Sequence, residues 1–90
     1  MRNFAIEERL QKILRKVQIK DKVFYRSFQK KVEEILACED VNHYKNLRKP
    51  LQHLKRVHVV GPFVLTFRYI VSEDKIIFYD LDHHDNIYQT

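Results

Sequence analysis

The sequence predicts an α+β fold in which an N-terminal helical hairpin packs on a three- to four-stranded antiparallel sheet. Three observations carry this. Two N-terminal segments repeat their apolar residues at helical spacing, the period drops to two beyond Leu54, and two turn signals then divide the remaining chain into strands. Helices followed by a run of strands is the order of an α+β domain with helices on one face of the sheet, leaving the other face for function.

The first segment runs from Ile6 to Val17, where Ile6, Leu10, Ile13, Leu14 and Val17 follow one helical face and the charged residues lie mostly elsewhere. Asp21 is placed to cap a second helix reaching about Cys38, with Phe24, Phe28, Val32, Ile35 and Leu36 as its apolar stripe. Residues 39–50 are polar and read as a connection with one short turn around Tyr44. Val57 and Val59 then alternate with Arg56, His58 and Val60 up to Gly61-Pro62. A second strand covers Phe63 to Val71, a turn falls at Ser72-Glu73-Asp74, and a third strand covers Lys75 to Leu81.

The length of 90 residues sets one domain, residues 1–90, because so short a chain cannot bury two separate cores. Its 44% hydrophobic content with one Gly and two Pro excludes a disordered or collagen-like chain. A single cysteine, Cys38, excludes a disulfide framework and a cysteine-rich zinc site. No targeting segment or membrane span is expected, so the expected location is the cytoplasm. Nucleotide-binding glycine loops, HExxH and CxxC are absent, which removes the common nucleotide, zincin and redox classes.

Charge is unevenly placed. Residues 1–38 carry ten Lys/Arg against five Asp/Glu, residues 39–71 six against two, and residues 72–90 one against five. The basic part suits a polyanion, and Lys45, Arg48, Lys49, Lys55 and Arg56 are concentrated where a phosphate backbone could be gripped. The basic stripes on the two helices read instead as solvated faces.

Five histidines are the candidates for proton transfer, because imidazole takes both protonation states near neutrality. His43 and His53 fall in the polar connection and are set aside. His58 shares its alternation face with Arg56, so packing of Val57 and Val59 on the helices would put both on the open face. The tail Asp82-His83-His84-Asp85-Asn86-Ile87-Tyr88 is dense in polar groups, and antiparallel pairing could bring it near His58 and Arg68. Spacing alone leaves two readings of that tail: an open-face cluster of His, Arg and Tyr, or carboxylates that merely hydrogen-bond the histidines. A metal reading is disfavoured, since adjacent histidines on a strand point to opposite faces unless the strand ends there. The expectation is no metal and no cofactor.

The order of helical hairpin, meander and terminal His-x-x-x-Tyr resembles the RelE/ParE superfamily of type II toxin-antitoxin toxins, closest to its histidine-rich, YafQ-like branch. The resemblance spans nearly the whole chain and rests on Leu47-Arg48-Lys49-Pro50-Leu51, Lys55-Arg56-Val57-His58-Val59, Phe63 to Arg68, and Asp82 to Tyr88. It implies ribosome-dependent cleavage of mRNA, in which the RNA's own 2′-hydroxyl attacks the adjacent phosphate without a metal. By position it implies His84 and His58 as the proton-transfer pair, Arg56 on the phosphate, and Tyr88 stacking on a base or orienting His84. Lys49, Lys55, Arg48, Arg68 and His83 are the implied RNA-binding residues. The implied partners are a cognate RelB-like antitoxin, mRNA and the ribosome, with no membrane and no DNA except through the antitoxin complex.

One departure stands out. Many superfamily members read Gly-x-Tyr-Arg at the start of the middle strand, whereas Gly61-Pro62-Phe63-Val64 puts Val64 at the arginine position. A ParE-like toxin that binds a topoisomerase without nuclease chemistry, or a degenerate toxin that only binds its antitoxin, are the alternatives this leaves open. The N-terminal strand usual in the family would come from about Arg2 to Ala5.

Overall fold

The computed structural model describes residues 2–87. Tyr88, to which the resemblance gives a role, lies outside the described residues. Strand β1 (Asn3–Ile6) leads into helix α1 (Glu8–Lys20) and helix α2 (Lys22–Ala37), followed by a 3-10 turn at Val41–His43. Strands β2 (Lys55–Val60), β3 (Phe63–Ile70) and β4 (Lys75–His83) come next, and a single turn of helix, α3 (His84–Ile87), follows β4 directly.

The helical hairpin forms as its spacing predicts. Asp21 is shared between the helices: its backbone N–H donates to Val17 O at 2.8 Å, and its side chain accepts from Phe24 N at 3.0 Å. That carboxylate occupies one of the unpaired amides at the start of α2 and fixes the reversal. Leu10, Leu14, Phe28, Ile35 and Leu36 then meet Leu65, Phe67, Ile76, Phe78 and Leu81 of the sheet in the main core, with Val57 and Val59 half-buried against it.

The sheet order is β1-β4-β3-β2, and β1 runs parallel to β4. The sheet is therefore mixed and four-stranded, which corrects the expectation of a purely antiparallel one. The physical reason is topological: the hairpin between β1 and the other strands returns the chain so that β1 takes the free edge of β4 in the same direction. Arg2 fastens this edge. Its guanidinium donates to Asp74 Oδ1 at 2.8 Å, to Leu36 O at 3.2 Å, to Glu39 O at 2.9 Å and also to Cys38 O.

Two details alter the simple alternation of the strands. Gly61, at φ 55°, supplies the left-handed residue of the tight β2–β3 turn. A bulge in β4 leaves Phe67 opposite Phe78 and Thr66 opposite Asp80, so Tyr79 is the extra residue. The bulge shifts the parity, and Leu81 joins Phe78 and Ile76 in the core although strict alternation separates it from them.

The face away from the helices is partly covered. Residues 44–54, which overlap the polar connection predicted over residues 39–50, fold back along β2 through Leu47 N donating to Leu54 O at 2.9 Å and Arg56 N donating to Lys45 O at 2.9 Å. Leu47 and Leu54 bury themselves with Val64 and Ile87 in a second, smaller cluster, with Leu51 packed against it. No helix among the described residues is long and apolar enough to cross a membrane.

Candidate nucleic-acid interface

The open face of the sheet carries a groove of about 620 Å³ between β2, the 46–49 segment and α3. Its lining is Asn46, Leu47, Arg48, Lys49, Arg56, His58 and Ile87. Three cations and an imidazole thus share one concavity, and among the described residues no acidic side chain lines it. A concavity with this lining favours an anion.

Each lining residue is held by an identifiable device. Val57 and Val59 pack on the helices, which turns Arg56 and His58 to the opposite side, as the alternation predicts. Arg48 and Lys49 come from the folded-back segment, which is braced at several points. Leu51 N donates to Arg48 O at 2.9 Å, Leu54 N donates to Leu51 O at 2.9 Å, and Asn46 Nδ2 donates to Gln52 O at 2.8 Å. Ile87 is buried at the groove's apolar end and pins α3 there.

Lys55 does not line the groove. It shares the parity of Val57 and Val59, so its side chain turns inward and is only 7% exposed. Its ammonium donates to Tyr44 O and to Asn46 Oδ1, both at 3.1 Å. Burial pushes its pKa below the ordinary lysine value, and Asp40 partly restores it. Lys55 is a brace for the cation-bearing segment, and its place in the alternation was the signal that marked it.

Arg68 is also away from the groove. It is exposed on the open face but pairs with Ile77, four residues along β3 from Val64, a distance of about 13 Å by strand geometry. His58, Val64 and Asp82 form one row across three strands, so the tail lies near His58 and far from Arg68.

The tail resolves into distinct positions. His83 ends β4 opposite Phe63, their rings 6.0 Å apart and edge-on, and Phe63 in turn meets Phe24 of α2 at 5.0 Å. His83 therefore sits toward the helix side and is not among the groove residues. His84 opens α3, with its N–H donating to Pro62 O at 2.8 Å. His84 and Ile87 are three residues apart on that turn; Ile87 lines the groove, whereas the His84 ring stacks on that of His83 at 4.6 Å and is not among the lining residues. Asp85 reaches both histidines: its Oδ1 is 3.0 Å from His84 Nδ1 and its Oδ2 3.5 Å from His83 Nδ1.

Val64, at the position where many superfamily members carry arginine, is fully buried beneath Leu47, Leu54 and Ile87. It forms part of the small apolar cluster beside the cations. The role of Leu47 and Ile87 was missed from sequence, although Leu47, Leu51 and Leu54 recur at helical spacing inside an otherwise polar stretch.

Comparison with known proteins agrees with this architecture. A protein of Methanocaldococcus jannaschii that carries the name "Putative toxin RelE4" is 45% identical over 99% of this chain and 93% of its own length. The toxin in the intact Escherichia coli RelBE toxin-antitoxin complex superposes with a TM-score of 0.71 at 15% identity, over 92% of this chain and 96% of that one. A metal-bound toxin from Helicobacter pylori superposes at 0.75 with 18% identity, over 97% and 99%. At such identities the two structures speak to the fold alone. No family model matches the chain. The fold is that of the small toxins of toxin-antitoxin systems. On its full-length likeness to the archaeal protein, the chain belongs to the RelE family of toxins.

Proposed function

We propose that this toxin is a ribosome-dependent mRNA endoribonuclease that cuts without a metal and thereby inhibits translation. The observation that carries the proposal is the groove that His58 and Arg56 of β2 line together with Arg48 and Lys49, with no acidic side chain among its described lining residues and His84 on the adjoining turn that carries Ile87.

The chemistry needs three services. A base takes the proton of a 2′-hydroxyl, whose oxygen attacks the neighbouring phosphorus. The P–O5′ bond breaks, and an acid gives a proton to the departing 5′-oxygen, leaving a 2′,3′-cyclic phosphate and a 5′-hydroxyl. Charge grows on the non-bridging oxygens meanwhile, and a fixed guanidinium offsets it. His58 and His84 are the proton-transfer pair and Arg56 the phosphate ligand, with Arg48 and Lys49 steering the strand. The row His58–Val64–Asp82 spans two inter-strand spacings, about 10 Å, which leaves room for a phosphate between a group on β2 and one just past β4.

The same groove suits an acidic antitoxin segment, because both ligands are anionic extended chains. The RelE proteins of the solved complexes bind RelB, and a RelB-like antitoxin is the partner we assign here.

The test is to add the protein to programmed ribosomes and map mRNA 5′ ends by primer extension. Codon-phased cuts from wild type that vanish in folded His84→Ala and His58→Ala support the proposal. No cuts from folded wild type overturn it, and gyrase supercoiling and growth assays then separate a topoisomerase poison from an inactive antitoxin binder. The buried Val64 in place of the family's arginine is the observation that keeps those readings in the test.

A further inference from the structure

The end of β4 gathers more donor atoms than RNA cleavage uses. We propose that His83, His84 and Asp85 form a binding site for a divalent transition-metal ion of the zinc type. His84 also figures in the cleavage reading above, but metal binding here stands without it.

The sequence argument against joint ligation was that adjacent histidines on a strand diverge. The strand, however, ends between them. β4 stops at His83 and α3 starts at His84, and the change of backbone direction stacks the two imidazoles 4.6 Å apart at 29°. Asp85 closes the set, so that donor atoms of all three residues lie within 4.8 Å of one another.

The spacing lies within side-chain rotation of what an ion requires. With bonds of about 2.0–2.1 Å, neighbouring donors around a tetrahedral zinc stand roughly 3.3 Å apart. The two Asp85 oxygens reach one imidazole each, Oδ1 at 3.0 Å from His84 Nδ1 and Oδ2 at 3.5 Å from His83 Nδ1, and rotation of these exposed side chains closes the set, now within 4.8 Å, to that edge. Asp85 N–H donates to His83 Nδ1 at 3.1 Å, so this nitrogen presents a lone pair rather than a proton. That lone pair is engaged by the Asp85 N–H, and the carboxylate oxygen 3.5 Å away is the group toward which the ring turns to share an ion. Asp85 is exposed, so water can take over its backbone N–H when the ring turns to the ion.

The surroundings favour a cation as well. Residues 76–90 hold three aspartates and no lysine or arginine. Asp82 Oδ1 accepts from His83 N at 2.7 Å and from Asn86 Nδ2 at 3.0 Å, which fixes a second carboxylate beside the site and braces the turn. The side chains of His83 and His84 are 38% and 42% exposed, so the cluster lies within reach of solvent, and water would be the fourth ligand. Two imidazoles and one carboxylate suit zinc, nickel or copper, whereas magnesium and calcium want oxygen donors.

The test titrates the full chain with zinc chloride by calorimetry and by competition with a chromophoric chelator, with circular dichroism on every variant. One equivalent of zinc per chain is expected, with affinity reduced roughly tenfold or more in each of His83→Asn and His84→Asn. Magnesium and calcium should produce no heat. In nitrogen-15 spectra the ring signals of His83 and His84 should shift on zinc addition while those of His43, His53 and His58 stay. Folded wild type that takes up no zinc overturns the proposal. So does uptake that survives both histidine variants and is lost in Cys38→Ser, because Cys38 Sγ and His43 Nδ1 lie 3.6 Å apart and are the rival donors.

Discussion

The buried ammonium of Lys55 donates to the side-chain oxygen of Asn46 at 3.1 Å, and this bond ties the cation-bearing segment to the strand that carries Arg56 and His58. Lys55→Met keeps the apolar stem and removes the donors, leaving Tyr44 O and Asn46 Oδ1 short of a partner. We expect a loss of about 1–3 kcal/mol in urea unfolding. On the nuclease reading, RNA affinity should fall as well, because Arg48 and Lys49 lose their fixed place across from Arg56.

Asp21 caps α2 through Phe24 N. Asp21→Ala should cost about 1 kcal/mol. In a domain of this size that lowers the melting temperature by roughly 4–8 °C. The groove lies elsewhere, so on the nuclease reading RNA binding at a temperature where the variant is folded should be unchanged.

Asp74 accepts from the Tyr69 hydroxyl at 2.8 Å and pairs with Arg2 at 2.8 Å, and these two partners hold its carboxyl below the ordinary carboxylate range. A folded pKa below the unfolded one means that the contribution is complete above the unfolded pKa and is lost as pH falls through the folded one. The wild type should therefore lose part of its stability on the acid limb, and Asp74→Asn should flatten that part. The carboxylate is exposed, so added salt should shrink the difference. Denaturant midpoints measured across the acid range check both statements.

Ile87 is buried against Val64, Leu47 and Leu54 and holds α3 on the open face. Ile87→Ala should destabilise by about 2 kcal/mol, the low end for such a truncation because the site is near the surface. On the nuclease reading, cleavage should fall further than the unfolded fraction explains, since His84 is placed by the same turn. The readout is cleavage rate beside the folded fraction by circular dichroism.

On that reading too, His58→Ala and His84→Ala should each slow cleavage by roughly 10²–10⁴-fold. Arg56→Ala should slow it by roughly 10²–10³-fold. A zinc-selective chelator that spares magnesium should leave the wild-type rate unchanged. Zinc at site-filling concentration should suppress it by engaging His84. Rates from primer extension on programmed ribosomes decide each point.

Much was legible without coordinates, because local patterns report local structure. Helical spacing, the Asp21 cap, the Gly61-Pro62 turn and the parity of Val57 and Val59 gave both helices, the meander and the open-face placement of Arg56 and His58. The chain's family was also visible, through the order of these elements and the motifs set on them. Position along the sequence carries no information on how far a strand slides against its neighbour, and several assignments turned on that. Register put His58 in a row with Asp82 and left Arg68 at the far end. The bulge at Tyr79 changed which residues of β4 face the core, and return of the chain past the hairpin made β1 parallel to β4.

What the sequence by itself determined is therefore the two long helices, the three strands of the meander and the residue types on the faces of the helices and β2, since these follow from periodicity and backbone chemistry within a few residues. What only the tertiary structure decided is which distant side chains share a space. Leu47, Val64 and Ile87 close a small core on the open face, Lys55 turns inward to brace a loop, and His83 and His84 stack because the strand ends between them. Each depends on contacts between segments far apart in the chain, or on where a strand stops. Packing fixes both, and no local pattern encodes them.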